Sequence, residues 1–447
     1  MKVLLFNIRG LRPAFLGCYG NEWIETPAFD QLAAEGIVLD WHYADHPDPA
    51  AAPSWRTGCY HLPPLPGEPA ARNDSSVDVI KLLQQRGVVA WLIHDPRRPA
   101  LPPLARGWDN ILPIIDSAEG TAWERTLETV LEAVEQLMHT EHWLLWVESA
   151  YLLPPWELPA EYTTRNFDAL SDRAEPEEDE EAAAGAVDDE EPDMILEPWF
   201  DPPPGPLDDP DGLRFLRLQR TYAAVVSFLD SGLGLLWEEL EQRGWDREIT
   251  LAVTSDHGLP LGEHGVIGAE QSHLHEELIH LPFVARLPGA VAAGRRVAAL
   301  TQPLDWMPTL LEWFGVPAPE THGHSLVPLF EEEDRTLRPY ACAGKQTAAG
   351  CDYVMRSPDW SLLASVGGAA GLPAKLFLKP EDVWEVNDVA PRMLEWSEKL
   401  EQTLRAFVRA THQTGPLRVP EPPAATEAEA PEDRESPSQT KPKGASS

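Results

Sequence analysis

The chain has 447 residues, an ordinary hydrophobic content and a formal net charge of −38. That length exceeds the size at which one core usually stops growing, so a large domain with a smaller companion is expected. The charge opposes binding to a phosphate backbone, and no apolar run reaches the roughly 20 residues that span a bilayer. Neither nucleic acid nor membrane is therefore an expected partner.

The chain opens Met1-Lys2 followed by Val3-Leu4-Leu5-Phe6. This run is too short for the core of a secretion signal and has no small-residue cleavage site, so it reads as a first strand and a cytoplasmic location is expected. Residues 3–8 form that strand, and apolar residues at helical spacing predict a helix over 27–36 closed by Gly36. The pattern returns as a helix over 77–87 with a strand at 88–93. A helix over 123–139 sets Trp123, Leu127, Val130, Leu131, Val134 and Met138 on one face and leads to a strand at 143–147. The longest amphipathic helix, 222–243, precedes a strand at 249–254. Such alternation predicts an α/β fold, a large mostly parallel sheet flanked by helices.

Beyond about residue 331 the pattern changes. Short segments at 353–356, 361–365 and 374–378 are separated by turn signals and followed by a helix at 391–411. They predict a small antiparallel sheet with one helix, giving a main domain over 1–330 and an α+β subdomain over 331–415. Residues 172–210 are acidic and then proline-dense, and 416–447 are rich in Pro, Glu and Ser. Both compositions predict disorder, because they offer too little apolar surface to offset chain entropy. Cys18, Cys59, Cys342 and Cys351 show neither a CxxC pair nor zinc spacing and read as free thiols. Whether Cys342 and Cys351 meet across a hairpin is open at this level.

The segment richest in chemistry is "ITLAVTSDHGLPLGEHGVIG", residues 249–268. An apolar strand ends in Asp256-His257, and ligands of open α/β sheets sit beyond such strand ends. Asp256 offers hard oxygen and His257 a nitrogen or a proton, a pair suited to a divalent cation or a bound oxyanion. His264 follows in a Gly-rich loop, near enough to line the same pocket. The plainer alternative is a turn-forming Asp256 and a hydrogen-bonded loop His257. The first strand ends in Arg9, Gly10 and Arg12, with no acid.

Several blocks in order resemble one family. "VLLFNIRGLRPAFLGCYGNEWIETPAFDQLAAEGI", "TSDHGLPLGEHG", "HEELIHLPFVARLPG", "DWMPTLLEWFGVPAPETHGHSL" and "AKLFLKPEDVWEVNDVA" are similar to successive segments of the sulfatases, within the alkaline-phosphatase-like superfamily. The resemblance covers most of residues 1–410 and implies that superfamily's fold. It also implies sulfate-ester hydrolysis by a formylglycine made from the first residue of C-x-P-x-R. Calcium would be held by two acids after the first strand and an Asp-Asn or Asp-His pair after a later one.

Matched position by position, the later pair is present as Asp256-His257, whereas the first acidic pair falls on Arg9 and Gly10. "AAPSWRTG" places Ala51 at the nucleophile and Trp55 at the arginine, and "YLLPPW" places Leu153 where a histidine is implied. No lysine occurs between Lys81 and Lys345, so the implied substrate lysine is missing. These losses predict a catalytically impaired relative that keeps the fold for binding or regulation. It would need no cofactor, an Arg9–Asp256 ion pair standing in for the cation, and calcium is expected only if an atypical site functions. Its ligand would be a sulfated or phosphorylated small molecule or glycan near His257, His264, His273 and His275, three of which could equally be structural. The alternative is an active sulfuric- or phosphate-ester hydrolase in which Ser54, Arg56, Thr57 or His264 takes over catalysis. Ordinary turn hydrogen bonding is the other role for the first three. A scaffold acting through the acidic insertion rests on composition alone.

Overall fold

The computed structural model describes residues 1–47, 54–69, 77–95, 105–114, 120–168, 196–270, 273–332, 335–348, 350–367 and 373–424. In chain order the main domain runs β1 (Lys2–Ile8), α1 (Pro27–Glu35), β2 (Ile37–Tyr43), α2 (Ser54–Thr57), α3 (Val79–Gln84), β3 (Val89–His94), β4 (Asn110–Pro113), α4 (Ala122–Leu137) and β5 (Trp143–Ser149). It continues α5 (Ala160–Asp168), β6 (Gly205–Pro206), α6 (Leu213–Gln242), β7 (Ile249–Thr254), β8 (Val266–Ile267), α7 (Glu276–Ile279), β9 (His280–Leu281), β10 (Phe283–Arg286), β11 (Arg295–Thr301) and α8 (Trp306–Trp313). The C-terminal part is β12 (Ala341–Thr347), β13 (Gly350–Arg356), β14 (Trp360–Val366), β15 (Lys375–Leu378) and α9 (Leu394–Thr411).

The main sheet has the order β11-β2-β10-β7-β1-β5-β3-β4, with β9 attached to β2. Strands β7, β1, β5, β3 and β4 are mutually parallel, and β10 runs against both of its neighbours. Alternation along β1 sends Leu4, Phe6 and Ile8 to one face and Val3 and Leu5 to the other, so both faces are dry. The first face is covered by α1, α4 and α6, the second by α3 and α8. Helix α4 starts where Thr121 and Glu124 satisfy each other's backbone N–H groups, at 3.3 Å and 2.6 Å. The second sheet, β12-β13-β14-β15, is antiparallel throughout, and α9 packs into its core.

The differences from expectation have physical reasons. Helix α6 begins at Leu213, well before residue 222, because Asp209 accepts from the N–H groups of Arg214 and Phe215 at 3.0 and 2.7 Å. Strand β12, "ACAGKQT", carries small residues of low strand propensity and is formed by pairing along its length with β13. Much of the insertion taken as disordered, with the end of the tail from 425, lies outside the described residues. Its described part, 196–210, is a correction to that expectation: Trp199 and Leu207 pack on the core and β6 pairs with β8. Apolar anchors scattered among the prolines outweigh composition. The first residues of the tail are docked as well, the Pro420 and Pro423 carbonyls accepting from Tyr340 Oη and Trp396 Nε1. All four cysteines are free. Cys342 and Cys351 do share the β12–β13 hairpin, but they face Met355 and Gln346 respectively rather than each other.

Candidate functional site

The carboxyl ends of β1, β5 and β7 lie side by side and present Arg9-Gly10, Glu148-Ser149 and Asp256-His257. The backbone fixes this edge: Arg9 N–H donates to Ser149 O at 2.9 Å, and Gly10 N–H to His257 O at 3.0 Å. Gly10 has φ +86°, and a Cβ there would lie 3.0 Å from Leu153 Cδ2. The position after Arg9 therefore favours glycine on both backbone and space grounds.

Arg9 reaches between two acids from the flanking strands. Its Nε lies 3.3 Å from Asp256 Oδ2 and 3.6 Å from Glu148 Oε2, with the arginine side chain only 13 % exposed. Burial disfavours the guanidinium, but Asp256 and then Glu148 outweigh it and raise its pKa. Glu148 is held by Trp146 Nε1 at 2.6 Å and Asn7 Nδ2 at 2.9 Å. Burial pushes its carboxyl up to about 7, opposed by Arg9 and reinforced by Asp256. The buried His257 ring donates from Nδ1 to Gly258 O at 2.9 Å, while its Nε2 lies 3.7 Å from Asp256 Oδ1. The aspartate and histidine thus stay adjacent, and their principal charged neighbour is a guanidinium.

Ala51 lies outside the described residues. Its neighbours Ser54–Thr57 form a single turn, α2. Ser54 is buried beside Asp45, whose carboxyl is pushed up to about 6 by burial against the hydrogen bond from that serine. Trp55 stacks on Trp146 with ring centroids 3.7 Å apart and planes within 11°. Trp146 in turn donates to Glu148 Oε1 at 2.6 Å, so the Trp55 indole props up the Arg9 cluster through two contacts. Arg56 is committed to Asp78 at 2.5 Å and Arg106 O at 2.8 Å. Thr57 Oγ1 pairs with His61 Nε2 at 2.9 Å.

The histidines divide into two places. His264 and His275 stack face to face at 3.7 Å and 8°. His264 Nδ1 pairs with Glu277 Oε1 and His275 Nδ1 with Glu385 Oε2, each at 2.7 Å. Burial lowers the His264 pKa, but its bond and charge interaction with Glu277 outweigh that and hold it above the usual imidazole range. Lys379 Nζ sits 3.3 Å from Glu385 and 3.2 Å from Glu276. His273 instead pairs with Asp352 of β13 at 2.9 Å and is half exposed. Sequence reasoning missed Glu148, Glu277, Glu385 and Lys379. The legible signal was a charged residue inside an apolar run, as in "WLLWVES" and "LFLKP".

Comparison with known proteins meets this geometry directly. The Sulfatase family model matches residues 132–316, a stretch that includes β5, β7 and the Asp256-His257 turn. Over that stretch the chain is similar to the sulfatase family. It is 34% identical to the N-acetylglucosamine-6-O-sulfatase of Bacteroides thetaiotaomicron over 124 residues, 28% of this chain and 22% of that protein. It is 26% identical to human iduronate 2-sulfatase over 379 residues, 70% of this chain and 65% of that protein. Each match thus spans less than two thirds of the relative. The phosphonate monoester hydrolase of Agrobacterium radiobacter superposes with a TM-score of 0.68 at 20% identity, covering 92% of this chain and 96% of that one. That likeness establishes the alkaline-phosphatase-like fold. At the strand edge Leu153 packs against Gly10.

Proposed function

We propose that this sulfatase-like chain has lost ester hydrolysis and keeps the fold for binding or regulation. One observation carries the reading: the Arg9 guanidinium stands 3.3 Å from Asp256 and 3.6 Å from Glu148 at the strand ends where the family implies a cation. A calcium ion takes six to eight oxygen ligands. Here both Glu148 oxygens already accept hydrogen bonds, and the neighbouring fixed charge is positive. This donor set does not fit calcium, because a guanidinium and a divalent ion would compete for the same carboxylates. The Ala51 methyl can be neither oxidised to an aldehyde nor deprotonated, which supports the same reading. The names of the relatives, which describe sulfatases of N-acetylglucosamine and iduronate, favour a sulfated sugar as the ligand class.

The test is turnover of 4-nitrophenyl sulfate and 4-nitrophenyl phosphate by the purified full chain, with and without calcium, magnesium or manganese, alongside metal analysis. No turnover above buffer and substoichiometric metal are expected. Turnover abolished by Asp256→Ala, or one equivalent of calcium, would overturn the proposal in favour of an active hydrolase with an atypical site.

A further inference from the structure

A cleft of about 710 Å³ opens beside the loop that follows β7, on the α6 side of the first strand's turn. Its volume lies in the range of organic-ligand sites. Three segments far apart in the chain give it aromatic rings: Phe15 with Trp23, Phe215, and Trp384. Trp23 and Trp384 are 50% and 61% exposed, and Val386 at the same rim is 80% exposed. Two indoles and a valine left in water around one concavity make a patch of the kind that marks a binding site.

The rim is held in place rather than frayed. Glu385, between Trp384 and Val386, has a fully buried side chain hydrogen-bonded to His275 at 2.7 Å and ion-paired with Lys379 at 3.3 Å. Its φ is +53°, a region that non-glycine residues enter at an energetic cost. Asp382 accepts from the N–H groups of Val386 and Asn387 at 3.0 and 2.9 Å, tightening the same turn. The buried network therefore pins one residue inward while both of its neighbours stay at the surface.

The floor chooses the ligand class. Arg12, with its side chain 3% exposed, and Glu263 pair at 2.5 Å and cancel each other's charge. Gln219 Nε2 donates to Glu263 at 3.0 Å, which leaves its Oε1 without a partner among the described residues. With most polar groups spent on one another, a polyhydroxylated ligand would lose water bonds that the cleft cannot replace. Flat rings have the exposed faces of Trp23 and Trp384 and the half-buried Phe215 to pack on, with Phe15 buried behind them. We propose that this cleft is a binding site for a planar aromatic ligand, distinct from the strand-end site.

The test is titration of the full chain with 8-anilinonaphthalene-1-sulfonate, an aromatic probe with a flat naphthalene ring, followed by probe fluorescence. Saturable one-to-one binding is expected, displaced by 2-naphthol and not by glucose. The double variant Trp384→Ala/Val386→Ser should weaken it by about tenfold. Ala14→Trp, which fills the cleft from an exposed position, should abolish it, with unchanged circular dichroism and melting confirming the fold. No binding, displacement by glucose, or equal affinity in both variants and the parent would overturn the site. These readouts are independent of turnover and metal content, so the proposal stands or falls separately from the loss of hydrolysis.

Discussion

Arg9 and Asp256 close the carboxyl ends of neighbouring strands, with Nε and Oδ2 3.3 Å apart. Strand β1 lies between β5 and β7, so a side chain at its end can touch acids from both sides. Removing that cation leaves Glu148 and Asp256 facing each other. Arg9→Ala should therefore destabilise the chain by about 3 kcal/mol, toward the low end for a broken buried pair because Asp256 is partly exposed. Arg9→Ala/Asp256→Asn should lose less than the sum of the single variants in urea denaturation. Additive losses would show that the pair is not coupled.

Reversing the charge should recover an ion site. Arg9→Asp places three carboxylates at one strand edge, and millimolar calcium should then raise its melting temperature while leaving that of the parent unchanged. A calcium-dependent rise in the parent would contradict the ion-pair reading.

Trp55 is packed in the core against Trp146 and 5% exposed. Trp55→Ala should cost about 3–5 kcal/mol by leaving a cavity. Trp55→Arg, the residue the family pattern implies there, should cost at least as much, because its guanidinium would be buried without a built partner. Urea midpoints of the two variants decide this.

Glu385 pins the loop that carries Trp384. Glu385→Ala should leave His275 without its carboxylate and free the strained turn. Chymotryptic cleavage after Trp384 is expected to accelerate under native conditions, and Glu385→Gln, which keeps a hydrogen-bonding oxygen for His275, should be less affected. Equal cleavage of parent and Glu385→Ala would remove the pinning role.

His42 is completely buried, bonded through Nδ1 to Thr301 Oγ1 at 2.9 Å. Burial, with smaller contributions from Arg338 and His280, pushes its pKa down to about 3 from the usual 6.5. The unfolded chain binds the proton first as pH falls, so stability is fully present above about pH 6.5 and is lost progressively toward pH 3. Between pH 7 and pH 5 the loss from this one group should be about 2 kcal/mol. His42→Asn should flatten that part of the stability–pH profile. An unchanged slope would assign the acid sensitivity elsewhere.

The alternation of strands and helices, the small antiparallel C-terminal sheet and the family likeness were all legible in the residues. Local periodicity reports which face of an element is dry, and a parallel sheet needs that on both faces. What escaped were elements formed by long-range pairing alone. Strand β12 has little intrinsic strand preference, and β10 runs antiparallel inside a parallel sheet. The site divided along the same line. Asp256, His257 and the odd Arg9 could be named because they end recognisable strands. Glu148, Glu277, Glu385 and Lys379 could not, since an isolated charge in an apolar run does not say whom it will meet.

The residues by themselves singled out Arg9 and Gly10 where the resemblance implies an acidic pair, and Ala51 where it implies the nucleophile. Only the tertiary structure decided what Arg9 does there. Placing β1 between β5 and β7 brings Glu148 and Asp256 to one side chain, and burial makes their shared cation hard to exchange for water. It also decided that His264 and His275 stack while His273 goes to another sheet, because contacts across distant segments are set by packing and not by spacing along the chain.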